Sequence, residues 1–380
     1  MNKKILAILA LANIVSVLLQ PIMAGFIDKY TNITNRKVSM FCSAACLGCC
    51  GLLYFAEGKV LIFAIYMLLY MLQMLYQPIL QAMCFEYNGN GDRINFGLAR
   101  GLGSCGFAVT SPIIGRLLIS NDVSVIQIVN VIAFLICILM LVVFVSPKQA
   151  DTGGADEMDS AEEILITKGA KGEPAKEEIK AASDDEIHNS FLGFTRFYPM
   201  FMLFVFGATF LFFEHNALND YLIQIITPIG GDEATMGKMV MIAAFLELPA
   251  MAGFAALERK LGIKKIIIFS TVMFTVKTII MLFANNIYMA YLSQVCQIFA
   301  YALFIPSGAY LAEKVMNSLD KTKGQAYINC CITLGGVFSA LVCGRLLDVF
   351  GVHVMLIVAS IVGIIGTIIS ICAICRVKVD

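Results

Sequence analysis

The chain has no tryptophan and only three histidines in 380 residues. Charge is scarce as well: Asp, Glu, Lys and Arg make up 14%, against roughly 25% in soluble domains. With a mean hydropathy of +0.84, that shortage excludes a soluble globular domain and leaves a protein of the lipid bilayer. Basic and acidic residues balance at 27 each, so there is no electrostatic footprint for nucleic acid. Any aromatic belt at the membrane surface rests on 13 Tyr and 27 Phe. The 13 cysteines are not scarce, but they lie almost entirely inside apolar runs. Cys46-x-x-Cys49-Cys50 and Cys372-x-x-Cys375 each fall within one helix, with no second pair or histidine beside them. They read as compact packing residues, not metal ligands or disulfides. No nucleophile triad, phosphate-cradling loop or zinc spacing is present. The expectation is a protein that is not an enzyme and uses no cofactor, metal or obligate protein partner.

What is present is a series of apolar runs of the length that spans a bilayer, ~20 residues. They cover residues 5–27, 38–55, 60–85, 101–119, 125–145, 197–226, 236–257, 266–284, 287–312, 326–347 and 353–375, which predicts eleven transmembrane helices. The first run imitates a signal peptide, with Lys3 and Lys4 before an apolar core. The connections alternate in charge. Lys29, Arg36 and Lys37, then Arg93, then Arg259, Lys260, Lys264 and Lys265, then Lys314, Lys321 and Lys323, and last Arg376 and Lys378 share one side. The positive-inside rule makes that side cytoplasmic, with the C-terminus inside. Lys3 and Lys4 then fall on the wrong side. Residues 147–195 are acid-rich with almost no apolar patches, a composition that does not fold alone. They read as a disordered cytoplasmic linker between membrane bundles at 1–146 and 196–380.

An internal repeat organises the two bundles. Gly25-Phe26 followed by Arg36-Lys37 recurs 228 residues on as Gly253-Phe254 followed by Lys264-Lys265. Gly115-Arg-Leu-Leu118 recurs 229 residues on as Gly344-Arg-Leu-Leu347. Two landmarks with nearly one offset imply parallel halves, the arrangement of major facilitator transporters. The run at 197–226 has no counterpart, because the offset carries it before Met1. The first half therefore lacks its first helix, which accounts for the odd helix count and the misplaced lysines. The run at 5–27 matches a full helix, 236–257, which displaces the signal-peptide reading.

Gly25-x-x-Asp28-Lys29 with Arg36-Lys37 resembles the major facilitator loop between helices two and three. Asn95-Phe-Gly-Leu-Ala-Arg100-x-x-Gly-Ser-x-Gly-Phe107 is similar to the fifth-helix signature of lactose permease-like oligosaccharide:proton symporters. The resemblance implies an all-α polytopic membrane protein with the major facilitator fold, two parallel six-helix repeats with the first helix absent. It implies that Gly25, Asp28, Lys29, Arg36 and Lys37 form a gating latch on the cytoplasmic side. It also implies that Arg100 faces the cavity and hydrogen-bonds sugar hydroxyls, a role its guanidinium fork suits. The glycines Gly101, Gly103 and Gly106 beside it leave one face of that helix nearly bare backbone, open to close approach by a neighbour. The family's partner carboxylate falls near Gln81, which follows Gln77-Pro78. Its helix-ten lysine falls at Gln294, and the histidine and glutamate at Gln297 and Ala300. The family's helix-nine arginine corresponds to Lys277.

Charges inside apolar runs mark function by default, since each costs ~3 kcal/mol even on a lenient insertion scale. Glu247 is mid-helix, and Glu214 and His215 lie together with Asn216 and Asn219. The expectation is therefore proton-coupled uptake of a small polar solute, a sugar or oligosaccharide, at a bacterial plasma membrane. Arg100, Gln77, Gln81, Asn216, Asn219, Gln294 and Gln297 would bind substrate, and Glu247, Glu214, His215 and Lys277 would couple protons. Nucleoside or aromatic-acid symport and drug:proton antiport remain open within the class. A non-transporting remnant or membrane sensor remains open outside it.

Overall fold

A computed structural model describes residues 3–30, 33–86, 94–120, 124–143, 191–317 and 320–378. Among the described residues every regular element is helical. In hydrocarbon a backbone with no water must bond within its own segment, which makes a run of apolar residues a helix. The first half comprises α1 (Lys3–Lys29), α2 (Asn35–Phe55), α3 (Lys59–Glu86), α4 (Phe96–Ser120) and α5 (Ser124–Val143). The second comprises the short α6 (Phe191–Phe197), α7 (Pro199–Asp220), α8 (Leu222–Ile226), α9 (Glu233–Ala252) and α10 (Phe254–Leu261). It continues with α11 (Ile263–Leu282), α12 (Ile287–Val295), α13 (Tyr301–Val315) and α14 (Lys321–Arg376). Eight described segments are long and apolar enough to cross a membrane. Side-chain oxygens set several starts: Thr34 accepts from the Lys37 amide, Asp232 from Thr235 and Asn286 from Met289.

The helices depart from the apolar runs in four places. The run at 197–226 breaks at Tyr221. The run at 236–257 breaks at Gly253, giving a membrane helix and the amphipathic α10. The run at 287–312 is interrupted by a 3-10 turn at Cys296–Ile298, after which Ala300 has φ −84° and ψ −91°. Conversely, the last two runs form one helical stretch, α14, 56 residues long, bent where Gly351 adopts φ 82°. The proposed linker falls largely outside the described residues; its last part, from Phe191, is helical and belongs to α6.

The halves meet along two antiparallel helix pairs. In the first, α1 lies on the front part of α14, and the Cys330 thiol donates to the Val17 carbonyl at 3.2 Å. In the second, α4 lies on α9. A Cβ on Gly97 would overlap the Met251 carbonyl, and one on Gly101 would stand 3.0 Å from Leu248 Cδ1. The glycine run is thus not a single contact face. Gly97 and Gly101 admit α9, whereas Gly103 lies beside the Arg100 guanidinium and Gly106 meets nothing within 4 Å. The second half is cored by phenylalanines, among them Phe204, Phe212, Phe274 and Phe304, all essentially fully buried. Leucines and isoleucines such as Leu135, Ile136 and Leu139 on α5 are exposed, as lipid-facing side chains are.

Each pair is closed at the end where the basic residues gather. Asp28, at the end of α1, accepts from the Lys323 amide at 3.0 Å and from the Thr322 hydroxyl, at the start of α14. Asn95, at the start of α4, donates to the Ala252 carbonyl at the end of α9 (2.9 Å) and accepts from its own helix at Leu98 (3.1 Å). Gly97→Ala is expected to force α4 off α9 and lower stability by ~1–3 kcal/mol, the usual cost of overpacking. Gly106→Ala, on the same helix, should be neutral. Thermal unfolding of the two variants in detergent checks both.

Candidate functional site

Five helices and one helix break build a polar cluster between the halves. Because α12 ends early, Gln297 falls in the 3-10 turn and Tyr301 at the start of α13. Irregular backbone at membrane depth is tolerated only where protein buries it, and both Gln297 and Ala300 are buried. Gln297 then works as a two-sided relay. Its Oε1 accepts from Lys277 Nζ at 2.5 Å, and its Nε2 donates to Glu247 Oε1 at 3.1 Å. Lys277 and Glu247 are joined through this amide. Ser293 donates to the Lys277 carbonyl at 2.9 Å and fixes α12 against α11.

From the first half, Arg100 Nη2 donates to the Tyr301 hydroxyl at 3.1 Å. The Tyr301 ring stacks on His215, with centroids 4.9 Å apart and planes within 7°. His215 Nε2 in turn lies 2.8 Å from Asn219 Nδ2. Arg100 and Ser104 also face Glu247, so that carboxylate lies between a cation of each half. Lys277 is 1% exposed and Glu247 6%, which places both charges inside the protein. A grouping of this kind can exchange hydrogen bonds with a polyol and can hold or release a proton.

The remaining expected residues are spread more widely. Gln81 exchanges two hydrogen bonds with Asn329 of α14, at 3.0 and 3.4 Å, and so ties the halves together. Gln77 is exposed. Gln294 is buried, and its Nε2 has no partner among the described residues. Asn216 bonds its own helix at Phe212 and lines a cavity. Glu214 points away from the cluster, toward Thr275 and Gly363. In the latch, Gly25 is packed by the Lys323 side chain and Lys29 is exposed. Arg36 donates to the Leu141 and Val142 carbonyls at 2.8 and 2.7 Å, at the end of α5 within the first half. The Lys37 amide caps α2 on Thr34. Tyr301 was not among the expected residues, because nothing in a tyrosine within an apolar run marks it.

Two cavities adjoin the interface. The larger, about 890 Å³, lies between α1 and α7 and is lined mainly by apolar groups such as Leu18, Ile22, Met202 and Phe206. The smaller, about 460 Å³, is bounded by Asn13, Tyr70, Asn216, Asp220 and Thr333 from both halves. Tyr70 donates to Asn13 at 2.6 Å across its wall. Its size and sparse polar groups are those of a small-ligand site.

The model of the MFS_1 like family matches residues 1–365. The chain belongs to that family, and so to the major facilitator transporters. The fold agrees. A crystal structure of FucP, a major facilitator transporter in the outward conformation, superposes with TM-score 0.69 at 14% identity. That match covers 98% of this chain and 90% of that one. The human organic anion transporter MFSD10 (TETRAN) gives TM-score 0.66 at 11% identity, over 95% and 82% of the two chains. A mutant form of the nucleoside transporter NupG gives 0.54 at 14% identity, over 98% and 90%. No curated protein matches by sequence. In this family member, Gln297→Leu is expected to leave Lys277 and Glu247 buried without their shared partner. The cost should be about 1.5–3 kcal/mol, as for a lost hydrogen bond to a charged group, and a melting curve in detergent measures it.

Proposed function

We propose that the chain is a secondary active transporter that takes up a small polar solute, a sugar or oligosaccharide, together with protons. The observation that carries this reading is the single cluster to which both halves contribute: Arg100 from the first, and Tyr301, His215, Gln297, Glu247 and Lys277 from the second. A site shared by two halves changes its exposure when they rock. The basic face, taken as cytoplasmic, is closed by the Asp28 and Asn95 contacts, and the polar cavity lies toward the other face. Solute enters there and is met along α7 by Asn216 and Asn219. Arg100 exchanges the Tyr301 phenol for substrate hydroxyls, which its planar fork can hold two at a time. Gln77, Gln81, Gln294 and Gln297 supply further amides, each both donor and acceptor.

Proton coupling falls to Glu247, with Lys277, His215 and Glu214 as the other groups of the coupling set. A proton on Glu247 removes the charge that Arg100 and Lys277 face, so the halves hold one another less tightly at the cluster. The bundles then rock, and the latch of Gly25, Asp28, Lys29, Arg36 and Lys37 opens. The protein sits in the plasma membrane with its linker and C-terminus inside. An aromatic or organic acid is a second reading, because Arg100 is a cation set beside stacked rings.

Arg100→Lys keeps the charge but loses the fork, and is expected to abolish uptake while expression is retained. Proteoliposomes given labelled sugars and organic acids, with and without an inward proton gradient, provide the measurement. Normal uptake by Arg100→Lys would remove Arg100 from the substrate site. No gradient-dependent uptake by the unaltered protein would sink the symport reading.

A further inference from the structure

Glu214 is a membrane carboxylate set apart from the cluster. It is fully buried between α7, α11 and the last part of α14. Its carboxylate lies against the bare backbone of Gly363, where a Cβ would overlap it. Thr275 stands 3.3 Å from Oε1, and Thr278 also reaches the carboxylate. Thr367, from the end of α14, lies 2.9 Å from Thr275.

The protons of these three hydroxyls can be counted. Thr278 donates to the Phe274 carbonyl at 3.1 Å, and Thr367 to the Thr271 carbonyl at 3.1 Å. Thr275 has one proton for two acceptors, Glu214 Oε1 and Thr367 Oγ1. Thr275 and Thr278 both reach the carboxylate as donors, yet neither satisfies Oε2. Oε2 has no partner among the described residues and is wholly buried. The 3.3 Å separation from Thr275 is longer than the usual ~2.7–2.8 Å O–H···O hydrogen bond. It suits two oxygens that share an ion.

We propose that Glu214, Thr275, Thr278 and Thr367 form a binding site for a sodium ion within the second half. The donors are all oxygen, as hard cations require. A single carboxylate balances one positive charge, which favours a monovalent ion over calcium. Sodium bound there would neutralise Glu214 without a proton and give the buried Oε2 a partner. Among the described residues Lys277 of α11 is the charged side chain within electrostatic reach of Glu214, as it is of Glu247. His215, next on α7, turns to Tyr301 instead. The inference deepens the coupling assignment above and rests on it for its role in transport. The ion replaces the proton at Glu214 and leaves the proton to Glu247.

Binding is tested without substrate, so its outcome is separate from the sugar reading. Radiolabelled sodium binding to the purified full-length chain in detergent, at near-neutral pH, is the measurement. Saturable binding is expected, displaced by unlabelled sodium and not by choline. Glu214→Gln should abolish it, and the double variant Thr275→Val with Thr367→Val should weaken it about tenfold or more. Glu247→Gln, which leaves Lys277 facing Glu214 alone, should weaken binding but keep it saturable. Should Glu214→Gln fail to give folded protein, the threonine variant, nearly unchanged in shape, decides the matter. Absence of saturable sodium binding, or binding unchanged in the Glu214 and threonine variants, would overturn the site. Loss of binding in Glu247→Gln alone would move the ion to the central cluster and overturn it equally.

Discussion

A polar group in hydrocarbon has no water to fall back on, and this demand governs the interior of the chain. With so few charges, each one at the cluster has an identifiable partner. Arg100 meets Tyr301, Lys277 meets Gln297, and Glu247 meets Gln297 with Arg100 and Ser104 beside it. Neutral amides and phenols are the intermediaries, and that choice matters. Direct buried ion pairs are rigid, because breaking one strands a charge. A glutamine between lysine and glutamate lets either charge find another partner at lower cost. On the function proposed above, substrate hydroxyls and a proton are such partners.

The same economy closes the basic face. Both contacts there join a side chain of one half to backbone groups at a helix end in the other. Asp28 takes donors at the start of α14, and Asn95 gives to a carbonyl at the end of α9. Helix ends carry unsatisfied groups and partial charge, positive at the start and negative at the end, so a carboxylate suits the first and an amide donor the second. The two contacts are related by the internal repeat. Any helix end exposed by opening can be taken up by water at the membrane surface, so these contacts are reversible without leaving a buried group unsatisfied.

Much of this was legible in the sequence, and the reasons differ by residue. Arg100, Glu247 and Lys277 stand out because a charge inside an apolar run is costly enough to need an explanation. The parallel halves were legible because two landmarks recur at one offset. The break at Cys296–Ile298 was not, since Cys296-Gln-Ile-Phe-Ala300 holds neither glycine nor proline; tertiary packing sets it, and it decides where Gln297 and Tyr301 point. The bonds of Arg36 to α5 were not legible for a related reason. A basic pair in a loop looks alike whether it latches two halves or caps the carbonyls of α5, and only the position of α5 distinguishes them. Gly106 was overread, because a glycine pattern does not say which face a neighbour will occupy. Thr275, Thr278 and Thr367 were passed over, since a threonine in an apolar helix is ordinarily bonded to its own backbone.

What joins the cluster to the Glu214 pocket is α11. Thr275 and Thr278 turn toward Glu214 while Lys277, between them, turns toward Gln297; residues one or two apart on a helix do not share a face. One helix therefore carries the ligands of both sites on different faces, and one ammonium feels both carboxylates. If sodium neutralises Glu214, the pull on Lys277 comes from Glu247 alone, and the relay through Gln297 tightens. By linkage the converse holds: a proton on Glu247 leaves Lys277 drawn toward Glu214, which disfavours a second cation there. Proton and sodium would then be bound in opposition within the second half, and the coupling would have a sign fixed by the place of a single lysine.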